Sequence, residues 1–159
     1  MKLSIIIPVY NSSKILEKLI TEINSNLSRK LKQDYEIILV NDFSKDNSWD
    51  IIKKISKKFM FIKGIDLNNN IGQHGATFVG LKYSIGNKII IMDDDLQHPP
   101  QSLISIYEQL DTYDVCYTLY LKRKHVYWKK IVSTLNNFYS SFIFNKPFKI
   151  YTSSMKGVR

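Results

Sequence analysis

A chain of 159 residues, 44% hydrophobic and 23% charged, suits one globular, soluble domain with a real core, and its longest apolar runs fall far short of the roughly 20 residues that cross a bilayer. The net charge of +9 fits an anionic partner (a phosphate-rich ligand, a membrane surface or nucleic acid) or a lysine-rich solvated surface. Met1 and Lys2 run straight into a strand-like segment without a signal-peptide pattern, and the lone Cys116 has no partner for an internal disulfide, so a reducing compartment is expected.

"LSIIIPVY" (Leu3 to Tyr10) reads as a buried strand, β-branched and too short for a helix. Asn11 to Ser13 offer N-cap side chains, and Ile15, Leu16, Leu19, Ile20, Ile23 and Leu27 follow at helical spacing. "YEIILVN" (Tyr35 to Asn41) predicts a second strand. "DFSKDNS" is a turn rich in capping residues, and Trp49, Ile52, Ile55 and Phe59 mark one face of a second helix. "FIKGIDL" (Phe61 to Leu67) predicts a third strand, "NNNIGQHG" (Asn68 to Gly75) a loop, and a helix then runs to about Ile85. "KIIIM" (Lys88 to Met92) predicts a fourth strand, "PPQSLISIYEQL" a helix that starts on prolines, and "DVCYTLYL" (Asp114 to Leu121) a fifth strand.

Strands alternating with helices imply an α/β domain, a mostly parallel sheet with helices on both faces. Ligands of such sheets bind beyond the carboxyl ends of the strands. Those ends carry Tyr10 and Asn11, Asn41 and Asp42, Asn68 to Asn70, and the acids Asp93, Asp94 and Asp95. Three adjacent carboxylates repel one another and gain nothing from a core. One helix cap would need a single acid, so they point to a ligand. No G-x-G-x-x-G or G-x-x-x-x-G-K-[ST] loop is present to cradle phosphates. A divalent ion on carboxylates would neutralise them instead, and hard oxygen ligands suit magnesium or manganese. On an extended chain Asp93 and Asp95 point the same way, Gln97 can add a carbonyl oxygen, and Asp94 points elsewhere.

The segments "IIIPVYN", "VNDFSKDNSWDI", "NNNIGQHGATFVGL" and "IIIMDDDLQHPP" resemble, in order and spacing, the family 2 glycosyltransferases of the GT-A fold. "DDDLQHPP" and "GQHGA" look most like the polyprenyl-phosphate branch that includes dolichyl-phosphate mannose synthase. The resemblance implies one GT-A catalytic domain over residues 1–159 that lacks its C-terminal part, with 122–159 as the acceptor- and membrane-facing segment. It implies that Pro8 and Tyr10 pack around a nucleotide base and that Asp42 hydrogen-bonds the base edge. Asn11, Asn70, Gln73, Asp93 and Asp94 complete the nucleotide-sugar candidates, with Asp93, Asp95 and Gln97 as metal ligands and Asp95 and Arg123 as catalytic residues. The chain departs from the family at Ser12, where glutamate is frequent, and at Asn41, where a second acid is frequent.

The chemistry so implied is inverting transfer of a sugar from a UDP- or GDP-linked donor. A hydroxyl acceptor needs a carboxylate base, whereas a lipid phosphate, with a second pKa of about 6, is already ionised. "LKRKHVYWKK" (Leu121 to Lys130) supplies cations, and Arg123 can grip phosphate through two parallel hydrogen bonds. Trp128, Ile131, Leu135, Phe138 and Phe142 continue at helical steps, as an amphipathic helix that lies on an anionic membrane or packs on its own domain. "YTSSMKGVR" resembles the family segment that faces the acceptor phosphate, which adds Ser154 and Lys156 to Arg123 and Lys124 as candidates for that group. His74 and His98 read as loop residues or as contacts to the diphosphate, and His125 as surface. The expectation is a cytoplasmic enzyme of cell-envelope synthesis, peripheral at the inner membrane face, with a polyprenyl-phosphate acceptor. A homo-oligomer is compatible with the sequence. The alternatives are transfer to a sugar hydroxyl of a surface polysaccharide and a non-catalytic nucleotide-binding module. Nucleic acid is not expected as a partner, because acids occupy the rim where a polyanion would dock.

Overall fold

The computed structural model describes residues 1–96, 99, 101–118 and 155–159. Gln97, His98, Arg123, Lys124, His125, Ser154 and the basic aromatic helix lie outside the described residues. The elements in chain order are β1 (Leu3–Val9), α1 (Leu16–Leu31), β2 (Tyr35–Asn41), α2 (Ser48–Lys58), β3 (Ile62–Asp66), α3 (Gly72–Tyr83), β4 (Lys88–Ile91), α4 (Gln101–Gln109), β5 (Val115–Tyr117) and β6 (Lys156–Val158). They build one sheet in the order β3-β2-β1-β4-β6-β5. The pairs β1–β2, β2–β3 and β1–β4 are parallel, and β4–β6 is antiparallel.

The pleat sorts β1 and β2 onto two faces. Leu3, Ile5, Ile7, Val9, Ile37 and Leu39 face one core with Leu16, Leu19, Ile20, Ile23 and Leu27 of α1, Ile52 and Ile55 of α2, and Leu103 and Ile106 of α4. Each fully buried aliphatic side chain contributes about 1.5–3 kcal/mol relative to exposure. The other face carries Ile38 and Val40, which pack with Ala76 of α3. Gly80 lets α3 lie close on this face, since a Cβ there would stand 2.4 Å from Ile6 Cγ2.

Three local expectations give way. The side chains of Asn11 to Ser13 do not cap α1: its N-cap is Ile15, and the Ser12 carbonyl accepts the Ile15 and Leu16 N–H groups at 3.0 and 3.3 Å. Second, α3 starts at Gly72, inside the segment read as a loop. Gly72 has φ +77°, a conformation that glycine adopts without steric cost. Third, β6 falls in a segment read only for its acceptor-facing residues. Its Gly157 admits α4, because a Cβ there would meet Ile106 Cγ2 at 2.4 Å.

By internal contacts the chain divides into two compact units, Met1–Cys116 with Ser154–Arg159, and Tyr117–Ser153. Of the second, only Tyr117 and Thr118 are among the described residues. Among the described residues no helix is long and apolar enough to cross a membrane.

Candidate active site

The carboxyl ends of β1, β2 and β4 open into a cavity of about 430 Å³. Its position follows from the pleat. Pro8 lies two residues beyond Ile6 and opposite Val40, on the face that α3 covers. Tyr10 and Asp42 continue that alternation past the strand ends, and all three line the cavity. Asn41 has the opposite parity. It is buried, its Nδ2 donates to Asp66 Oδ1 at 2.6 Å, and it is not part of the cavity wall.

Asp42 is 3% exposed. Its Oδ1 accepts the Ile71 N–H at 2.8 Å, and its carbonyl accepts from Asn70 Nδ2 at 3.1 Å. These bonds fix the start of α3 and bring Asn70, Gly72 and Gln73 into the wall. Gln73 Nε2 then donates to Asp93 Oδ1 across the cavity. His74, in the same first turn, is exposed and is not part of the wall.

β4 ends at Ile91, one residue earlier than expected, and the Met92 N–H still donates to the Ile6 carbonyl at 3.1 Å. Residues 94–96 then bend, with Leu96 at φ +57°. Asp93 and Asp95 therefore do not share a face of an extended strand. The bend brings all three aspartates to the cavity, and their side chains part company there. Asp94 Oδ2 accepts the Tyr10 N–H at 3.2 Å and the Ser12 hydroxyl at 2.5 Å. Burial, with the charge of Asp95 beside it, pushes the Asp94 carboxyl above the ordinary range despite these donors. Asp93 is half-buried and Asp95 exposed.

Asn11 is not brought to the wall. At φ +54° it turns its Oδ1 to the Lys45 N–H at 2.8 Å, and its own N–H donates to Ser44 Oγ at 3.0 Å. Asp46 strengthens the same junction by accepting the N–H groups of Ser13 and Ser48, each at 3.0 Å. Burial works to raise the Asp46 pKa, but these donors and the Ser13 and Ser48 hydroxyls outweigh it and hold the carboxyl at about 2. The loops after β1 and β2 are thus pinned together behind the cavity. The sequence signal for this was the run of capping residues in "DFSKDNS". Lys156, half-buried on β6, pairs in register with Ile91, which puts it at the same end of the sheet as Asp93.

Among the described residues no three His, Cys, Asp or Glu side chains converge as a metal site. Asp93 and Asp95 bring two carboxylates to one cavity. That donor set fits magnesium or manganese, which take one or two protein carboxylates and complete their shell with substrate phosphates and water.

The profile described as glycosyl transferase family 2 matches residues 4–159. Among solved structures, S. aureus TarS 1-349 is 26% identical with a TM-score of 0.64, over 79% of this chain and 38% of that one. The TarS fragment is also known in complex with UDP. Glucosyl-3-phosphoglycerate synthase from Mycobacterium tuberculosis, in complex with Mn2+, UDP and phosphoglyceric acid, is 15% identical with a TM-score of 0.74, over 99% of this chain and 55% of that one. The mannosyltransferase PcManGT from Pyrobaculum calidifontis, in complex with GDP-Man and Mn2+, is 15% identical with a TM-score of 0.69, over 99% and 44%. The last two likenesses concern the fold, which is GT-A. The chain spans well under two thirds of each of these proteins.

Proposed function

The chain belongs to glycosyl transferase family 2, and from that premise we propose that it transfers a sugar, with inversion, from a UDP- or GDP-linked donor to a polyprenyl phosphate. The observation that carries the donor half is the shared wall of one cavity. Pro8 and Tyr10 offer flat apolar surface for a base, the buried Asp42 offers a carboxylate for its edge, and Asp93 and Asp95 line the same cavity. Asp93 and Asp95, with Gln97, would hold a magnesium or manganese ion, which supplies neutralising charge for the departing diphosphate.

The acceptor half rests on the likeness of "DDDLQHPP" to the polyprenyl-phosphate branch and on the cations of "LKRKHVYWKK". Transfer to a sugar hydroxyl needs a carboxylate base, and after Asp95 these 159 residues contain only Glu108, Asp111 and Asp114. Glu108 pairs with Lys30, Asp111 with Lys88 at 2.7 Å and Asp114 with Arg159 at 2.8 Å, and none of the three lines the cavity. An acceptor that is ionised beforehand needs no such base. These three are thus not the base that a sugar hydroxyl would require, and the proposed acceptor is a phosphate, gripped by Arg123, Lys124, Ser154 and Lys156. With a lipid acceptor, the site of action is the cytoplasmic face of an anionic membrane.

Thermal shift with UDP, GDP and their sugars, with and without manganese, tests the donor half, because a ligand that binds only the folded state raises its stability. Stabilisation by one nucleotide series with manganese is expected, and none by either series overturns it. Radiolabelled transfer to polyprenyl phosphate against sugar acceptors tests the other half.

A further inference from the structure

Resting on the reading that this cavity takes a nucleoside diphosphate, we propose that Asp94 is a positioning residue: its carboxylate latches the loop after β4 to the loop after β1 and so holds Asp93 and Asp95 opposite Tyr10. One oxygen, Asp94 Oδ2, takes both donors of the latch, the Tyr10 backbone N–H at 3.2 Å and the Ser12 hydroxyl at 2.5 Å. The loop it holds is itself anchored. The Ser12 N–H donates to Ser48 Oγ at 2.9 Å, and the Ser48 hydroxyl donates to Asp46 Oδ1 at 2.5 Å. Asp46 Oδ2 closes the circuit on the Ser13 N–H at 3.0 Å. The middle acid of the triplet is thereby connected, hydrogen bond by hydrogen bond, to the first turn of α2.

The arrangement resolves a problem the triplet creates for itself. Three carboxylates on one bend repel. Turning the middle one toward Tyr10 and Ser12 gives it two donors, while all three aspartates stay in the cavity wall. Tyr10 is where the two functions meet: its N–H is fixed by Asp94, while the residue stays 48% exposed in the cavity wall, where its ring can take a base.

The latch needs an acceptor oxygen and no net charge, which separates it from ligation. In the full chain, Ser12→Ala, Asp94→Ala, Asp94→Asn and the double variant Ser12→Ala with Asp94→Ala are titrated with UDP and GDP in manganese. Exchange of the Tyr10 amide is followed by NMR without nucleotide. Loss of a hydrogen bond to a charged group predicts about tenfold weaker nucleotide binding in Asp94→Ala and about threefold in Ser12→Ala. Since both act through one contact, the double variant should be no worse than Asp94→Ala alone. Asp94→Asn keeps an oxygen for both donors and should stay within about threefold of wild type. Tyr10 exchange should quicken in Asp94→Ala and stay slow in Asp94→Asn. Asp94→Asn as damaging as Asp94→Ala, additive losses in the double variant, or unchanged Tyr10 exchange would each overturn the latch. Wild type that binds neither nucleotide would overturn the nucleotide reading, while Tyr10 exchange would still decide the latch.

Discussion

Asp42 accepts the Ile71 N–H at 2.8 Å, so the carboxylate that ends the second strand also sets where the third helix begins. One side chain thus joins the wall of the cavity to the fold around it. A substitution there has two separable consequences, one for the ligand and one for the helix start.

Asp42→Ala removes both. It should weaken nucleotide binding by about 1.5–3 kcal/mol, the range for a hydrogen bond to a charged group, and lower stability by about 1–3 kcal/mol by leaving the Ile71 N–H without its acceptor. Asp42→Asn keeps an oxygen for Ile71 and loses the charge, so its melting temperature should stay near wild type while its nucleotide affinity falls. Calorimetry beside thermal unfolding checks this. Equal affinity in wild type and Asp42→Asn would remove Asp42 from base recognition.

Gly80 carries a packing prediction. A Cβ there would stand 2.4 Å from Ile6 Cγ2 and 3.3 Å from Val40 Cγ2, with α3 pressed on β1 and β2. Gly80→Ala should destabilise by about 1–3 kcal/mol, the usual cost of overpacking, although alanine favours helix intrinsically. The urea midpoint should fall with little change in slope. A more stable variant would mean that α3 sits farther from the sheet.

How much of this was legible beforehand depends on where the signal lay. The β-branched runs of β1 and β2 and the 3.6-residue spacing of Leu16, Leu19, Ile20, Ile23 and Leu27 are local, so their elements could be read directly. The rim followed from topology, and Pro8, Tyr10, Asp42, Asn70, Gln73 and the three aspartates do meet there. What escaped was set by contacts distant in sequence. Gly72 opens a helix because Asp42, some thirty residues earlier, holds Ile71. The strand at Lys156–Val158 has no alternating pattern and exists by pairing with β4. Asn11 looked like a rim residue, yet its side chain is spent on the Lys45 N–H.

Acid should expose two carboxyls away from the cavity wall. Glu36 is 1% exposed, and burial works to raise its pKa. Lys63, 2.7 Å away, with the Ser4 hydroxyl at 2.6 Å and the Ile85 N–H at 2.9 Å, outweighs burial and holds the carboxyl below its ordinary value. Asp46 is held at about 2, against an ordinary 3.8. In both cases the unfolded chain takes up the proton more readily than the folded one, so protonation favours unfolding. Their contributions are fully present above the ordinary carboxylate range. They drain away as pH falls, for Asp46 between 3.8 and about 2. Stability against urea should therefore drop steeply below pH 4 or so, and Asp46→Asn should flatten the lowest part of that curve. An unchanged slope in Asp46→Asn would mean that Asp46 does not hold these hydrogen bonds in solution.

The last prediction concerns Asp95. It is the exposed member of the triplet, beside an Asp94 committed to Tyr10 and Ser12 and an Asp93 that accepts from Gln73. A divalent ion between Asp93, Asp95 and a diphosphate would turn their mutual repulsion into shared attraction. Chelation should accordingly weaken nucleoside diphosphate binding by wild type at least about tenfold, roughly 1.4 kcal/mol. Asp95→Asn nearly keeps the shape and removes the charge. It should keep the fold, bind nucleotide weakly, and respond to neither manganese nor chelator. Turnover should stop with it. The measurement is a nucleotide titration of both proteins, with manganese and with chelator. Equal wild-type affinity in the two conditions, or full manganese dependence retained by Asp95→Asn, would sink the reading of Asp95 as a metal ligand.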